Sequence, residues 1–121
     1  MTTLQTVLKV HQALCSESRS IISSKGHDYN REQQKSGDTL FNLKVSTLLG
    51  ITETTTQSIL TRMADKFMRL ISLTKNPKIV GKVKNESVRD TIKDTINYLS
   101  YLYIDWCEAN ELDPITGKKK K

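Results

Sequence analysis

Proline and glycine are scarce, two and five among 121 residues. With so few turn-formers the chain is poorly equipped for a many-stranded sandwich and better suited to a few long elements. Cysteine appears only as Cys15 and Cys107, far apart and each within an apolar-periodic stretch. Two reduced core thiols are expected from them, and two cysteines with two unpaired histidines make no zinc site. No apolar run approaches membrane-spanning length. Lys9 and His11 interrupt the N-terminal stretch, so no secretory signal is read there and a cytoplasmic protein is expected, in the host cytoplasm if the chain is phage-encoded.

The apolar fraction is a modest 36%, with 26% charged residues. A helical bundle tolerates this balance, because each helix needs only an apolar stripe. The net charge is +6, but four of those charges are Lys118 to Lys121, which leaves the rest near +2. Nucleic-acid binding is therefore compatible with the charge but not favoured by it.

Periodicity divides the chain into four helices. Leu4, Val7, Leu8, His11, Leu14, Cys15, Ser18, Ile21 and Ile22 recur at helical spacing from Thr3 to Ser24, with Thr2 or Thr3 as cap and Gly26 as stop. His11 is expected to pack into the core. Residues 25–38 are polar and aperiodic and read as a loop, mobile or functional. A short helix follows from Thr39 to Leu49, capped by Ser36 or Asp38 and ended by Gly50. A third spans Glu53 to Leu73 after a Thr52 cap, with Ile59, Leu60, Met63, Phe67, Leu70 and Ile71 at helical spacing. After a loop at 74–85, Asn85 is placed as the cap of a last helix reaching Ala109, with Glu86 in its first turn. The fold expected is all-α and four-helix bundle-like: a single helical domain over 1–112, then a solvated or disordered basic tail over 113–121.

At 100° per residue, Glu86, Asp90, Asp94 and Asn97 fall within a strip about 80° wide. Val88, Ile92, Ile96 and Leu99 fall nearly opposite and are expected to face the core. One reading makes the acids an ordinary solvated face. Against it, Arg89 and Lys93 project to another side, and the strip continues into Tyr101 and Ile104. The second half of the helix is apolar nearly all round, as in a helix buried against several neighbours or a second subunit. Converging carboxylates repel one another unless a hard cation or basic side chains neutralise them. One turn apart, they suit Mg²⁺ or Mn²⁺, which would hold a polyphosphate. On the third helix, Asp65 offers a further carboxylate, and Arg62, Lys66 and Arg69 offer phosphate contacts. Equally, Asp65 forms a local ladder with Arg62 and Arg69. His27, Asp28, Tyr29 and Asn30 are candidates for base or phosphate contact, or simply form a turn.

Three blocks carry a resemblance: Lys25-Gly-His-Asp-Tyr-Asn, then Arg62-Met-Ala-Asp-Lys-Phe-Met-Arg-Leu, then Glu86-Ser-Val-Arg-Asp-Thr-Ile-Lys-Asp-Thr-Ile-Asn-Tyr. Together they resemble the phage-type nucleotide modification associated domain, a group similar to the MazG-like all-α NTP pyrophosphatases, over residues 20–107. The resemblance implies an oligomeric helical bundle in which acids from two helices bind Mg²⁺ and a nucleoside triphosphate. Carried onto this chain, Glu86 and Asp90 become the catalytic candidates. Asp65, Glu86, Asp90 and Asp94 become the metal ligands, and Lys25, His27, Asp28, Tyr29, Asn30, Arg62, Lys66, Arg69 and Asn97 the nucleotide contacts. The chain departs from the MazG pattern on the third helix, which carries Asp65 in place of a Glu-Glu-x-x-Glu motif.

The function expected is metal-dependent binding of a nucleoside triphosphate, with pyrophosphohydrolysis as its enzymatic form. The first alternative is a non-catalytic protein that sequesters a nucleotide and counters host signalling. The second is a small basic nucleic-acid-binding or protein-interaction module. Expected partners are the nucleotide and further copies of the chain.

Overall fold

The computed structural model describes residues 1–33, 38, 40–76 and 81–121, leaving the side chains of 25–33, 82 and 83 outside the description. It is all-helical: α1 spans Leu4–Gln33, α2 Phe41–Leu48, α3 Thr55–Thr74 and α4 Lys82–Ala109. There is no named strand among the described residues, and no helix long and apolar enough to cross a membrane.

Local chemistry accounts for most of the boundaries. At the start of α1, Thr3 Oγ1 accepts from the Thr6 amide at 3.2 Å. α2 has Leu40 rather than Ser36 or Asp38 at its N-cap and no side-chain cap; Asp38, just before it, accepts the Leu40 amide on Oδ1 at 2.9 Å and engages Lys44 on Oδ2. Gly50, at φ +75, closes α2: its amide reaches the Thr47 carbonyl at 3.1 Å while the Ile51 amide reaches Ser46 at 2.8 Å. This is the pairing that satisfies the last carbonyls of a helix through a left-handed residue. Thr54, two residues beyond the expected Thr52, caps α3, with Oγ1 accepting from Gln57 at 3.1 Å; Gln57 Oε1 in turn accepts the Glu53 amide at 2.9 Å. Each partner quiets a donor that the first turn would otherwise leave bare.

Three expectations about boundaries are corrected. Gly26 does not end α1, which runs on to Gln33 where a loop was expected. Glycine inside a helix costs about 1 kcal/mol but removes no hydrogen bond, and the Arg, Glu and Gln that follow are good helix-formers. Asn85 does not cap α4. Gly81 holds the N-cap position, its carbonyl accepting from Asn85 at 3.0 Å, so Glu86 lies beyond the first turn. The segment after Ala109 is exposed from Ile115 onward, as a solvated tail would be, but it is folded into a turn. Leu112 pairs antiparallel with Lys119. The Asp113 amide donates to the Lys118 carbonyl at 2.8 Å, and the Gly117 amide, at φ +73, donates to the Asp113 carbonyl at 2.7 Å. Asp113-Pro114-Ile115-Thr116-Gly117 has the composition of a tight turn: proline presets φ, and glycine alone takes the left-handed position without strain. Any side chain at Gly117 would press on Tyr103, whose hydroxyl lies 3.0 Å from where its Cβ would stand.

α4 is the central element. It packs most extensively on α3 and also on α1, while α2 packs on α3. Thr56 Oγ1 donates to Asp105 at 2.6 Å and Lys66 reaches Asp94 at 3.4 Å. Ten residues up α3 thus correspond to eleven down α4, so the two run antiparallel. The apolar core is small and lies at the corner of α2, α3 and α4. Leu40, Leu43, Ile59 and Met63 are buried there, with Tyr98, Tyr101, Leu102 and Ile104 against them.

The face that α4 turns inward differs from the expected one. Its buried residues include Thr91, Thr95, Asn97 and Cys107, whereas Leu99 is 51% exposed and Val88, Ile92 and Ile96 are half-buried. Threonine can take these positions because its hydroxyl is satisfied inside its own helix. Thr91 donates to the Ser87 carbonyl and Thr95 to that of Thr91, both at 2.7 Å. Both cysteines are free, Cys107 buried and Cys15 half-buried. His11 is exposed rather than packed in the core, because every residue from Met1 to Gln12 is exposed on a projecting arm of α1; its Nε2 lies 3.6 Å from Cys15 Sγ.

Candidate functional site

The acid strip of α4 lies between the two helices that flank it. On one side Asn97, only 5% exposed, donates from Nδ2 to the Ser18 carbonyl of α1 at 3.2 Å. Ser18 is itself buried, its hydroxyl turned back to the Leu14 and Cys15 carbonyls. On the other side Asp94 meets Lys66 of α3. Asp90 lies between Asn97 and Asp94 in angle: at 100° per residue it follows Asn97 by about 20° and precedes Asp94 by about 40°. The strip therefore runs along α4 between the edge that meets α1 and the edge that meets α3.

The edge of α4 that meets α1 carries an ion-pair cluster. Arg89 engages Glu17 through both Nε, at 3.1 Å, and a terminal nitrogen. Lys93 lies 3.5 Å from Glu17 and 3.2 Å from Asp90. The Lys93 side chain is 12% exposed and that of Asp90 67%. Lys93 thus does not project away from the acids as expected. Its long stem lies along the protein surface and brings the ammonium back to Asp90 one turn earlier. Basic side chains, rather than open repulsion, accompany two of the three acids in the row.

Placed one by one, the expected site residues divide. Lys66 meets Asp94, and Asp90 and Asn97 lie on the same strip of α4. Glu86 is exposed one turn before Asp90. Arg62, Asp65 and Arg69 are exposed on α3, and Asp65 forms no ion pair with either arginine, so the local ladder is absent. Lys25, His27, Asp28, Tyr29 and Asn30 lie on the last part of α1, where the side chains are outside the description. Among the described residues, no three of His, Cys, Asp and Glu stand close enough to hold a metal ion together. A cation here would rest on Glu86 and Asp90, the exposed pair one turn apart, with phosphate and water oxygens completing its shell. Asp94 would first have to release Lys66.

Glu17 was not singled out by sequence reasoning. The signal was there in Arg89 and Lys93, two basic residues one turn apart on one edge of α4. Hydrogen bonding from Arg89 holds the Glu17 carboxyl below its ordinary 4.5; burial opposes this, and the charges of Arg89 and Lys93 assist. Because the folded state then binds the proton less tightly than the unfolded state, this contribution is complete above pH 4.5 and is lost as pH falls through the lowered folded value. Glu17→Gln should therefore flatten the acid limb of stability against pH and leave the slope above pH 6 unchanged, as read by denaturant titration across the range. An unchanged acid limb would mean that the pair contributes nothing to folding.

Tyr101, half-buried, packs edge-on against Tyr98 with ring centroids 5.7 Å apart. Burial, then the nearby Tyr98 and Asp94, push its hydroxyl upward, so it stays a neutral group beside the acid strip. Comparison with family models, with curated proteins and with solved structures finds no match to this chain.

Proposed function

We propose that the acid strip of α4, between α1 and α3, binds a nucleoside triphosphate together with Mg²⁺ or Mn²⁺. The observation that carries this reading is the convergence of both charge signs on one strip. Asp90 stands open beside Lys93, with Glu17 and Arg89 on the α1 side and Lys66 with Asp94 on the α3 side. A metal-bound polyphosphate presents both signs as well. Exposed carboxylates suit its cation, while lysine and arginine suit its oxygens. The phage-type nucleotide modification resemblance supports the same reading. When bound, the cation would neutralise the phosphate charge and orient the chain of phosphates. Asp90 and Glu86 would hold it, Lys66 and Lys93 would contact phosphate, and Asn97 would keep α1 and α4 in register beneath them.

Binding without turnover is the second reading, and the Lys66–Asp94 pair favours it. A hydrolase of this kind concentrates acids from two helices, whereas here α3 meets the acid row with an ammonium group.

A thermal-shift panel of common nucleotides, with and without each metal, tests the proposal. A ligand at a hundred times its dissociation constant adds about 2.7 kcal/mol to stability. The stabilisation should require the metal and should be lost in Asp90→Asn. Chromatography of the recovered ligand then separates the two readings: released pyrophosphate identifies a hydrolase, and intact triphosphate a sequestering protein. If no nucleotide shifts the transition with either metal, the proposal is wrong.

A further inference from the structure

The grip of α1 on α4 is thin and largely polar. Among the described residues, none from α1 belongs to the apolar core, which Leu40, Leu43, Ile59 and Met63 form without it. Of the described side chains on α1 only Ser18 is buried, and Leu14, Cys15, Ile21 and Ile22 are half-buried. Two polar attachments add to that partial cover. Asn97 donates to the Ser18 carbonyl, and Glu17, the next residue along, engages Arg89 and Lys93.

The Glu17 carboxylate occupies a place that suits other anions as well. Arg89 and Lys93 stand one turn apart on one edge of α4, and Arg89 takes the carboxylate with Nε and a terminal nitrogen together. A guanidinium takes two phosphate oxygens in the same two-pronged way. Lys93 joins this pair to Asp90, the open acid of the strip. The Arg89 and Glu17 side chains are 44% and 39% exposed. Water and salt screen a pair so placed, and it gives way readily to a stronger acceptor. A polyphosphate brings more charge and more oxygens than one carboxylate.

We infer that Arg89 and Lys93 form a phosphate clamp that Glu17 fills in the free protein, so that an incoming polyphosphate displaces Glu17 and loosens α1 from α4. The inference rests on the phosphate-binding part of the function proposed above. It adds Arg89 to the phosphate contacts and makes α1 a strap that closes over the empty clamp. Binding and strap opening are then coupled, and the coupling runs both ways. Weakening the hold of Glu17 favours the phosphate, and the phosphate favours release of Glu17. Asp90 stays beside Lys93 throughout, available to the cation that accompanies the phosphates.

Calorimetric titration with inorganic tripolyphosphate at low salt, without metal or nucleotide, tests the clamp. Glu17→Gln should bind it about two- to fivefold more tightly than wild type. Arg89→Gln should bind it more weakly, and the gain from Glu17→Gln should shrink when Arg89→Gln is already present. A gain of equal size without Arg89 would reflect lost charge alone and overturn the inference. So would a Glu17→Gln chain that binds no more tightly than wild type, or no binding by either. Hydrogen exchange reads the strap in the wild-type chain, with no substitution to disturb folding. Saturating tripolyphosphate should speed exchange over residues 13–24 of α1 and leave α3 unchanged. Unchanged or slower exchange over residues 13–24 also overturns the inference. The nucleotide reading fails separately. A negative nucleotide panel with a positive tripolyphosphate result removes that reading and leaves the clamp. A positive panel with unchanged binding by Glu17→Gln removes the clamp and leaves nucleotide binding.

Discussion

Asn97→Asp should destabilise the protein by on the order of 3 to 5 kcal/mol at pH 7, far more than its near-identical shape suggests. Asn97 is 5% exposed between α1 and α4, and its Nδ2 donates to the Ser18 carbonyl. A carboxylate has no proton to donate there, so oxygen would face oxygen. It would also bring a fourth acid into a strip already holding Glu86, Asp90 and Asp94. Buried charge and like neighbours both disfavour ionisation, so the introduced carboxyl would have a folded pKa above its unfolded value of about 3.9. The sign follows. The variant's deficit relative to wild type should be small below pH 4, where both states are protonated. It should grow as pH rises from there and level off above the raised folded value. Asn97→Ala is the control: it loses one hydrogen bond, about 1 kcal/mol, with no added pH dependence. Denaturant titrations of the three proteins at several pH values decide the matter. Equal deficits for the two variants at every pH would mean that position 97 is open to water.

The helix content could be read from the sequence because it depends on local rules. Gly50, the threonine before α3 and the apolar period each act within a few residues of their own position. The end of α1 and the start of α4 were less legible. Gly26 and Asn85 carry the right preferences for helix ends, but these are worth only about 1 kcal/mol, and the helix-forming residues around them outweigh that.

The inward face of α4 was misread for a different reason. Amphipathic logic assigns the apolar stripe to the core of the same chain. In α4 the stripe of Ile92, Ile96 and Leu99 is left half-covered, while Thr91, Thr95 and Asn97 are buried. A sequence does not say whether an apolar face is meant for its own chain or for another. The acid strip itself was legible as a strip, but its partners were not. Lys66 and Asp94 are 28 positions apart and Glu17 and Arg89 are 72 apart. Pairs that distant depend on how the helices are set against one another, which no short-range pattern records.

Ile59→Ala should be the most damaging truncation in the core, costing about 2–5 kcal/mol. Ile59 is fully buried, at 0% exposure, among Leu40, Leu43 and Met63 where α2, α3 and α4 meet. Removing three carbons there loses their transfer energy and leaves a cavity that rigid helices fill only in part. The fraction lost matters more than the amount. Domains of this size are typically stable by about 5–15 kcal/mol, and few apolar side chains are buried among the described residues. At about 3–6 °C per kcal/mol for this length, the melting temperature should fall by roughly 10–20 °C. Ile59→Val, which removes a single carbon, should cost only about 0.5–1.5 kcal/mol. The series must be measured at one fixed protein concentration, since any association of chains adds a concentration-dependent term. That term also separates the two kinds of apolar residue in this protein. Trimming Ile59 weakens each chain internally, so its penalty should persist on dilution. Trimming Leu99, exposed within one chain, should cost most where chains associate and little where they do not. If Ile59→Ala melts within a few degrees of wild type at all concentrations, the corner of α2, α3 and α4 is not where this protein keeps its stability.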